Sequence, residues 1–543
     1  MSLRPLELTP LPDLLHGTAR AGAVRTRRPT YVDLLPPCNA GCPAGENIQA
    51  WLGFARDGRH EEAWRQLVAD NPLPAIHGRV CYHPCEDVCN RKELDSSVSI
   101  HAVERFLGDL ALERGWAFPA PPAPSGKRVL VIGAGPSGLS AAYQLARQGH
   151  QVEIRDLSSE AGGMMRYGIP AYRLPRAVLD AEIGAILDLG VGLELNRAVT
   201  DIAAAKAEGD FHAVYLAFGA QLSRRAYIPA ADSARVLDAL AFLASSEGAE
   251  PAAIGRRVVV YGGGDTAMDA ARSARRLGAA EAVIVYRRTR ERMPAHDVEV
   301  EEALAEGVSV RWLSTISRVD EDKIVIEKME LDAAGFPQPT GEYDELGADS
   351  VILALGQDAD VAPIGDLAGV EVNDGVVVVD DHMMTGCPGV FAGGDMVRAE
   401  RTVTVAIGHG KKAARSIDAW LAGEPEHAGE RHELAPFEDL NTWYYADAPR
   451  TVQPELEAVR RQTGFEEVVG GLTESNALFE ARRCMSCGNC FECDNCYGVC
   501  PDNAVSKLGA GDRYAFDYDY CKGCGICVAE CPCGAIVMVP ELI

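Results

Sequence analysis

Residues 127–163, KRVLVIGAGPSGLSAAYQLARQGHQVEIRDLSSEAGG, decide the fold. An apolar, β-branched run from Val129 to Ile132 leads into Gly133-Ala-Gly135-Pro136-Ser137-Gly138, and small residues at helical spacing follow up to Gly149. This is the strand, tight turn and helix on which a dinucleotide pyrophosphate sits. Gly133 permits the turn, Gly135 lets backbone approach the phosphates, Gly138 lets helix pack close to strand, and the helix N-terminus presents the positive end of its dipole. A second strand ends in Asp156, where an acid would grip a ribose diol, and Gly162-Gly163 follow. We read the stretch as an FAD site.

The unit repeats. RRVVVYGGGDTAMDAARSARRLG, residues 256–278, places Gly262, Gly264 and Ala267 at the three small positions, with Asp265 and Thr266 opening the helix. Two dinucleotide folds in one chain imply two nucleotides and hydride transfer between nicotinamide and flavin. Beyond this fold's second strand, Arg287 and Arg288 stand where an NAD site carries an acid, and two guanidinium groups suit the 2′-phosphate of NADPH. NADH, with the arginines as a solvated strand end, is the alternative. SVILALGQ, residues 350–357 and containing Gly356, leads back toward the flavin fold. Gly389-Val-Phe-Ala-Gly-Gly394-Asp395 then matches the second flavin motif of two-domain flavoprotein reductases, whose aspartate meets the ribityl chain. The nicotinamide domain is thus inserted in the flavin domain. A disulfide reductase needs a C-x2-C pair beside its flavin, and no cysteine occurs between Cys89 and Cys387. Cys387 reads as a packed loop cysteine.

The chain has 543 residues, room for several domains, and a formal charge of −27 that would repel nucleic acid and anionic membrane. No apolar run approaches a bilayer span and MSLRPLELTP lacks a secretory apolar core, so a cytoplasmic protein without membrane insertion is expected. There, 17 cysteines point to metal rather than disulfides. They gather at the two ends, between Cys38 and Cys89 and between Cys484 and Cys533.

After an arm of about thirty-five polar residues, Ile48, Trp51, Leu52 and Ala55, then Ala63 and Leu67, recur at helical spacing, as do Ile100, Val103, Phe106, Leu107 and Leu110 farther on. Between these helices lie Cys38 and Cys42, then Cys81, Cys85 and Cys89. Thiolates from two loops suit an iron–sulfur cluster; a zinc site or scattered buried cysteines are the alternatives. The run CP, GRVC-x3-C-x3-C and the order of the later motifs resemble the glutamate synthase small-chain family, whose N-terminal helical domain carries two 4Fe-4S clusters. Members usually have four cysteines in the first group, whereas this chain keeps Cys38 and Cys42, with Thr30 and Asp33 near the other two positions. The resemblance implies one cluster on Cys42, Cys81 and Cys85 with Glu104 as fourth ligand, Cys38 and Cys89 being remnants of the lost one. Four of these five cysteines around a single cluster is the other assignment. The same resemblance brings Arg166 to Pro175 close to the flavin.

At the other end, Cys490-x2-Cys493-x2-Cys496-x3-Cys500-Pro and Cys521-x2-Cys524-x2-Cys527-x3-Cys531-Pro are both the bacterial ferredoxin pattern, in which the fourth cysteine of each run serves the other cluster. Two 4Fe-4S clusters follow: Cys490, Cys493, Cys496 with Cys531, and Cys521, Cys524, Cys527 with Cys500. Cys484, Cys487 and Cys533 are left over, and packing around the clusters is expected of them rather than a further metal. The aromatic WYYADAPR, residues 443–450, is expected to pack on the flavin module.

The expected architecture is multidomain: an α-helical iron–sulfur domain (1–125), an α/β flavoprotein module with two dinucleotide-binding folds (FAD 126–225 and 358–425, NAD(P)H 226–357), a connector (426–480) and an α+β bacterial ferredoxin domain (481–543). It reads as an NAD(P)H:acceptor oxidoreductase subunit of a hetero-oligomer, moving electrons between NADPH, FAD and clusters to or from a ferredoxin or partner redox enzyme. That partner could be a 2-oxoacid:ferredoxin oxidoreductase, a sulfite reductase or a glutamate synthase large chain. The alternatives are a self-sufficient reductase of a small organic substrate and a redox-sensing or assembly scaffold. Hydride transfer needs stacked rings rather than a protein acid, so no catalytic acid is assigned.

Overall fold

The computed structural model describes residues 25–541 except 225–226, 232–234, 248–251, 366 and 427–431. Most of the expected N-terminal arm, residues 1–24, lies outside the described residues.

Two five-stranded parallel sheets carry the fingerprints. The flavin sheet runs in the order Val390–Ala392, Ala213–Leu216, Arg128–Ile132, Gln151–Arg155, Gly192–Glu194. The nicotinamide sheet runs Ser309–Arg311, Glu281–Val285, Arg257–Tyr261, Ser350–Leu353, Val236–Asp238. In each, the fingerprint strand is central and buried, as its continuous apolar run requires of a sheet covered on both faces. The chain crosses between the two folds twice, and the crossings pair as Leu222–Ser223 against Gln357–Asp358. An antiparallel meander (Ser314–Val319, Lys323–Leu331, Pro337–Gly347) covers one face of the nicotinamide sheet, with Ile316, Ile324 and Ile326 packed on Val259 and Val351.

The helical domain is not a separate ball. Ile48, Trp51, Leu52, Ala55, Ala63 and Leu67 are buried in a core that continues without a break into the flavin sheet. One helix makes this continuity: Val403–Ala422, capped by the Thr402 hydroxyl accepting from the Val405 amide at 3.2 Å. It lies along Pro136–Arg147 on one side, and on the other its Lys411 ammonium donates to Asp70 Oδ1 and the Gly45 carbonyl, both at 2.6 Å. Gly408 faces Pro43 so closely that a Cβ would lie 2.0 Å from the Pro43 carbonyl oxygen. From the flavin side, buried Glu182 accepts the Ala75 and Ile76 amides (2.7 and 2.9 Å), satisfying the first turn of helix Pro74–Val80.

Both chain ends depart from the expected boundaries. Arg27–Tyr31 pairs antiparallel with Ile536–Pro540, so the start of the chain completes the ferredoxin domain. Helix Glu474–Arg483 docks on the N-terminal helices, burying Ala477 and Ala481 in the common core. The connector's aromatics do not pack on the flavin module: Trp443 is 87% exposed, and Tyr445 donates to the Met485 carbonyl at 3.0 Å. Among the described residues no helix is long and apolar enough to cross a membrane.

Because the backbone at Pro43 cannot withdraw without losing the Gly45–Lys411 contact, Gly408→Ala is expected to cost about 1–3 kcal/mol by overpacking. Denaturant unfolding followed by flavin absorbance checks this; an unchanged midpoint would show that the seam yields.

Candidate functional site

Both fingerprints open into one cavity of about 1260 Å³. Gly133, Gly135, Pro136, Ser137, Asp156 and Gly163 line one side, Gly262, Gly264, Asp265, Thr266, Arg287 and Arg288 the other, and Gly356, Gly394 and Asp395 lie between. Gly138 and Ala267 sit beneath: a Cβ on Gly138 would lie 1.9 Å from the Gly133 carbonyl oxygen, and Ala267 is fully buried. Gly133 has φ +110°, and a side chain there would also strike the Ala217 carbonyl oxygen at 2.4 Å. Gly162 supports the turn from behind, its amide donating to the Ala134 carbonyl at 2.9 Å.

The cavity fits the two nucleotides. A Cβ on Gly135 would meet nothing closer than 3.9 Å, and one on Gly264 nothing within 4 Å, so both turns offer bare backbone at a helix N-terminus, as a pyrophosphate needs. Asp156 also fastens the turn: Oδ2 accepts the Ala134 amide at 2.6 Å and Oδ1 the Ser158 amide at 2.7 Å. Arg288 Nε is buried without a hydrogen-bond partner among the described residues, an orphaned guanidinium N–H beside the position expected of a 2′-phosphate. Burial pushes the Asp395 carboxyl above its ordinary value, against the opposing field of Arg401.

Arg166 departs from expectation. The one-turn helix Met164–Tyr167 turns Met164 and Tyr167 toward the cavity and Arg166 away, where its guanidinium pairs with Asp180 and donates to the Ala161 carbonyl at 2.5 Å. It braces the loop from outside. Sequence reading missed Tyr82 and His296, which stack at 3.4 Å across the cavity from different domains. His296 is held by Asp265, which accepts from its amide at 2.9 Å and contacts its Nδ1 at 3.0 Å. No local pattern announces such a pair, because its members are 214 positions apart in sequence. No cysteine lines this cavity.

A second, small cavity holds Cys42, Cys81 and Cys85 with Glu46, His77 and Glu104. Only single residues divide it from the nucleotide cavity. Cys81 lines the small cavity while Val80 and Tyr82 line the large one, and Thr404 lines the small one while Val403 lines the large. Thr404 Oγ1 donates to Cys81 Sγ at 3.1 Å and contacts His77 Nε2 at 2.9 Å. Glu104, the expected fourth ligand, stands on this wall with Oε1 engaged by His77 Nδ1 (2.7 Å) and Asn71 Nδ2 (2.9 Å). Burial pushes the Cys42 thiol up to about 12, so a metal here must displace a proton that burial retains.

In the ferredoxin domain, Cys490, Cys493 and Cys496 neighbour Cys531, while Cys521 and Cys524 neighbour Cys527. Cys500 Sγ accepts the Ala504 amide at 3.3 Å and Cys521 Sγ the Gly523 amide at 3.4 Å. Leftover Cys533 has Sγ 3.8 Å from Cys531 Sγ, a hydrogen bond that holds the Cys531 thiol below its ordinary value. Among the described residues, groups of three candidate ligands converge within 4.8 Å only at His83–Glu86–His101 and Glu46–His77–Glu104, and neither contains cysteine. Thiolates on one tetrahedral zinc would stand about 3.8 Å apart. The wider cysteine sets suit multi-iron clusters.

Fold and site together define an iron–sulfur flavoprotein of the two-dinucleotide reductase class. The chain belongs to the pyridine nucleotide-disulphide oxidoreductase family, whose model matches residues 127–410. Residues 31–116 match dihydropyrimidine dehydrogenase domain II, 4Fe-4S cluster, and residues 514–537 a 4Fe-4S binding domain. The chain is 36% identical over 520 residues to the NADP(+)-dependent formate dehydrogenase subunit beta of Moorella thermoacetica, covering 87% of this chain and 73% of that protein. It is 34% identical over 503 residues to the NADPH-Fe(3+) oxidoreductase subunit beta of Geobacter sulfurreducens, covering 83% and 75%. The glutamate synthase [NADPH] small chain of Azospirillum brasilense is 34% identical over 422 residues, 72% of this chain and 88% of that one. The expected resemblance and the multidomain fold hold: the protein is an FAD- and iron–sulfur-dependent NAD(P)H oxidoreductase.

The double variant Arg287→Ala/Arg288→Ala is expected to raise KM for NADPH about 10- to 100-fold, the worth of one or two lost charge-assisted hydrogen bonds, and to leave KM for NADH within about twofold. Equal losses with both nucleotides would show that these arginines do not read the phosphate.

Proposed function

We propose that this chain is the electron-transfer subunit of a larger redox complex, in which electrons run between NADPH at the Arg287/Arg288 side of the large cavity and the cysteine sets at the two chain ends. The observation that carries this reading is the shared wall at Val80-Cys81-Tyr82 and Val403-Thr404. Bound there, a flavin exchanges a hydride's two electrons with nicotinamide and single electrons with iron–sulfur clusters. The chain's own part is to hold the groups close, exclude water and keep the order fixed. Tyr82 from the helical domain and His296 from the nicotinamide domain stack at the wall of the large cavity, and the turns at Gly135 and Gly264 seat the two pyrophosphates.

Site residues divide accordingly. Asp156, Gly394 and Asp395 serve FAD; Gly262, Gly264, Asp265 and Thr266 serve NADPH; Cys42, Cys81 and Cys85, with Glu104 at the fourth position, hold the cluster nearest the flavin. The two ferredoxin clusters lie at the far end, where Cys493 and Cys524 are exposed, so a partner's acceptor can approach there. The partner we favour is a separate catalytic dehydrogenase subunit, since two relatives aligned over 87% and 83% of the chain are named as beta subunits. The thiol content suits a cytoplasmic setting.

Rapid mixing tests the wall. With Cys81→Ser, NADPH should bleach the flavin as fast as in the unaltered protein, while reduction of an added ferredoxin falls at least about tenfold. Ferredoxin reduction at the unaltered rate would contradict the proposed route.

A further inference from the structure

Cys38 and Cys89 were expected to be remnants, and Cys484 and Cys487 to be spare. The fold brings these four together. One small cavity is lined by Cys38, Cys89, Cys484 and Cys487, with Leu52 and Ile100 closing it. Cys38 follows Pro36-Pro37 in the first turn of helix Pro37–Gly41, and Cys89 follows the short helix Pro84–Asp87. Cys484 caps helix Glu474–Arg483 from the opposite end of the chain, and Cys487 lies in the loop beyond it.

Neighbouring contacts fix this meeting on both sides. The Arg91 guanidinium donates to the Arg483 carbonyl at 3.2 Å, Gln49 Nε2 to Ser486 Oγ at 3.1 Å, and Arg483 to the Ser96 and Ser97 carbonyls at 2.7 and 2.9 Å. Cys38, Cys89 and Cys484 all pack against the core shared by the helical and flavin domains, not against the ferredoxin core. The Cys38 thiol faces those of Cys484, Cys89 and Cys487 across this cavity. The donor set is four sulfurs in an apolar cavity, and no three of them converge to single-ion spacing among the described residues.

We propose that Cys38, Cys89, Cys484 and Cys487 ligate a fourth 4Fe-4S cluster, built from both ends of the chain. The two positions lacking cysteine in the N-terminal group, occupied by Thr30 and Asp33, are thus replaced by Cys484-x2-Cys487. The location is between the other sites. Ile100 lines both this cavity and that of Cys42, Cys81 and Cys85, and Cys487 precedes Cys490 of the first ferredoxin set by three residues. The role as a relay rests on the electron-transfer reading above; the ligation does not.

The experiment is iron and acid-labile sulfide per flavin in the full chain, isolated anaerobically, with the EPR spectrum after chemical reduction. Four clusters give about sixteen iron per flavin, three give about twelve. Cys38→Ser and Cys484→Ser should each lose about a quarter of the iron and the same EPR signal while retaining flavin, and the double variant should lose no more than either alone. Cys387→Ser, at a cysteine that lines none of these cavities, should keep the full count. About twelve iron in the unaltered chain would overturn the proposal even if both variants fail to fold. Different signals lost in the two single variants, or additive losses in the double, would also overturn it. Failure of the ferredoxin assay with Cys81→Ser leaves these counts unaffected, so the two readings fail separately.

Discussion

The seam between Val80-Cys81-Tyr82 and the start of helix Val403–Ala422 is the constraint on which the rest depends. A helix begun at the edge of the nucleotide cavity must carry Val403 facing that cavity and Thr404 reaching Cys81, 3.1 Å away, on its flank. Alternation at that level leaves no room for a solvent layer or a mobile loop. The N-terminal helices are therefore welded to the flavin sheet by one hydrophobic core, while the nicotinamide domain, joined by two crossings, keeps cores of its own. The two domains also meet through buried polar contacts: Arg173 of the flavin domain pairs with Asp269 and Glu299 of the nicotinamide domain.

Buried charge is spent on holding the pieces in place. Arg483, 3% exposed, joins the C-terminal helix to Asp95 and the Ser96 and Ser97 carbonyls of the helical domain, and Arg91 meets Asp95 from the other direction. In the nicotinamide domain, fully buried Arg272 pairs with Glu299, Glu302 and Glu306 beside Tyr172 of the flavin domain. Such networks contribute little net stability against well-packed apolar residues, but breaking one partner leaves an uncompensated buried charge and costs about 3–5 kcal/mol. Their effect here is to fix which segments meet, and the composite cysteine site is where that matters most.

Local pattern made the nucleotide folds and the ferredoxin runs legible. Glycines at fixed offsets and cysteines every third residue express constraints between near neighbours, and Gly133 to Gly163, Gly262 to Arg288 and Cys490 to Cys531 could be read directly. Amphipathic spacing likewise placed Trp51, Leu52 and Leu67 in the core. What could not be read joins distant parts of the chain: Cys38 with Cys484, Tyr82 with His296, and Arg27–Tyr31 with the last strand. Arg166 failed for a different reason. Resemblance put it beside the flavin, but a single helical turn decides which of four consecutive side chains faces inward, and Asp180 offered it a partner outside.

The central claim is that nucleotide, flavin and clusters form one connected path, and an anaerobic titration of the purified chain with NADPH tests it most directly. Flavin bleaching and the reduced-cluster EPR signals are followed together. The account predicts that the flavin bleaches and that cluster signals then grow, with electrons taken up beyond the two a flavin can hold. Complete flavin bleaching that stops at two electrons, with no cluster signal at any excess of NADPH, would contradict it.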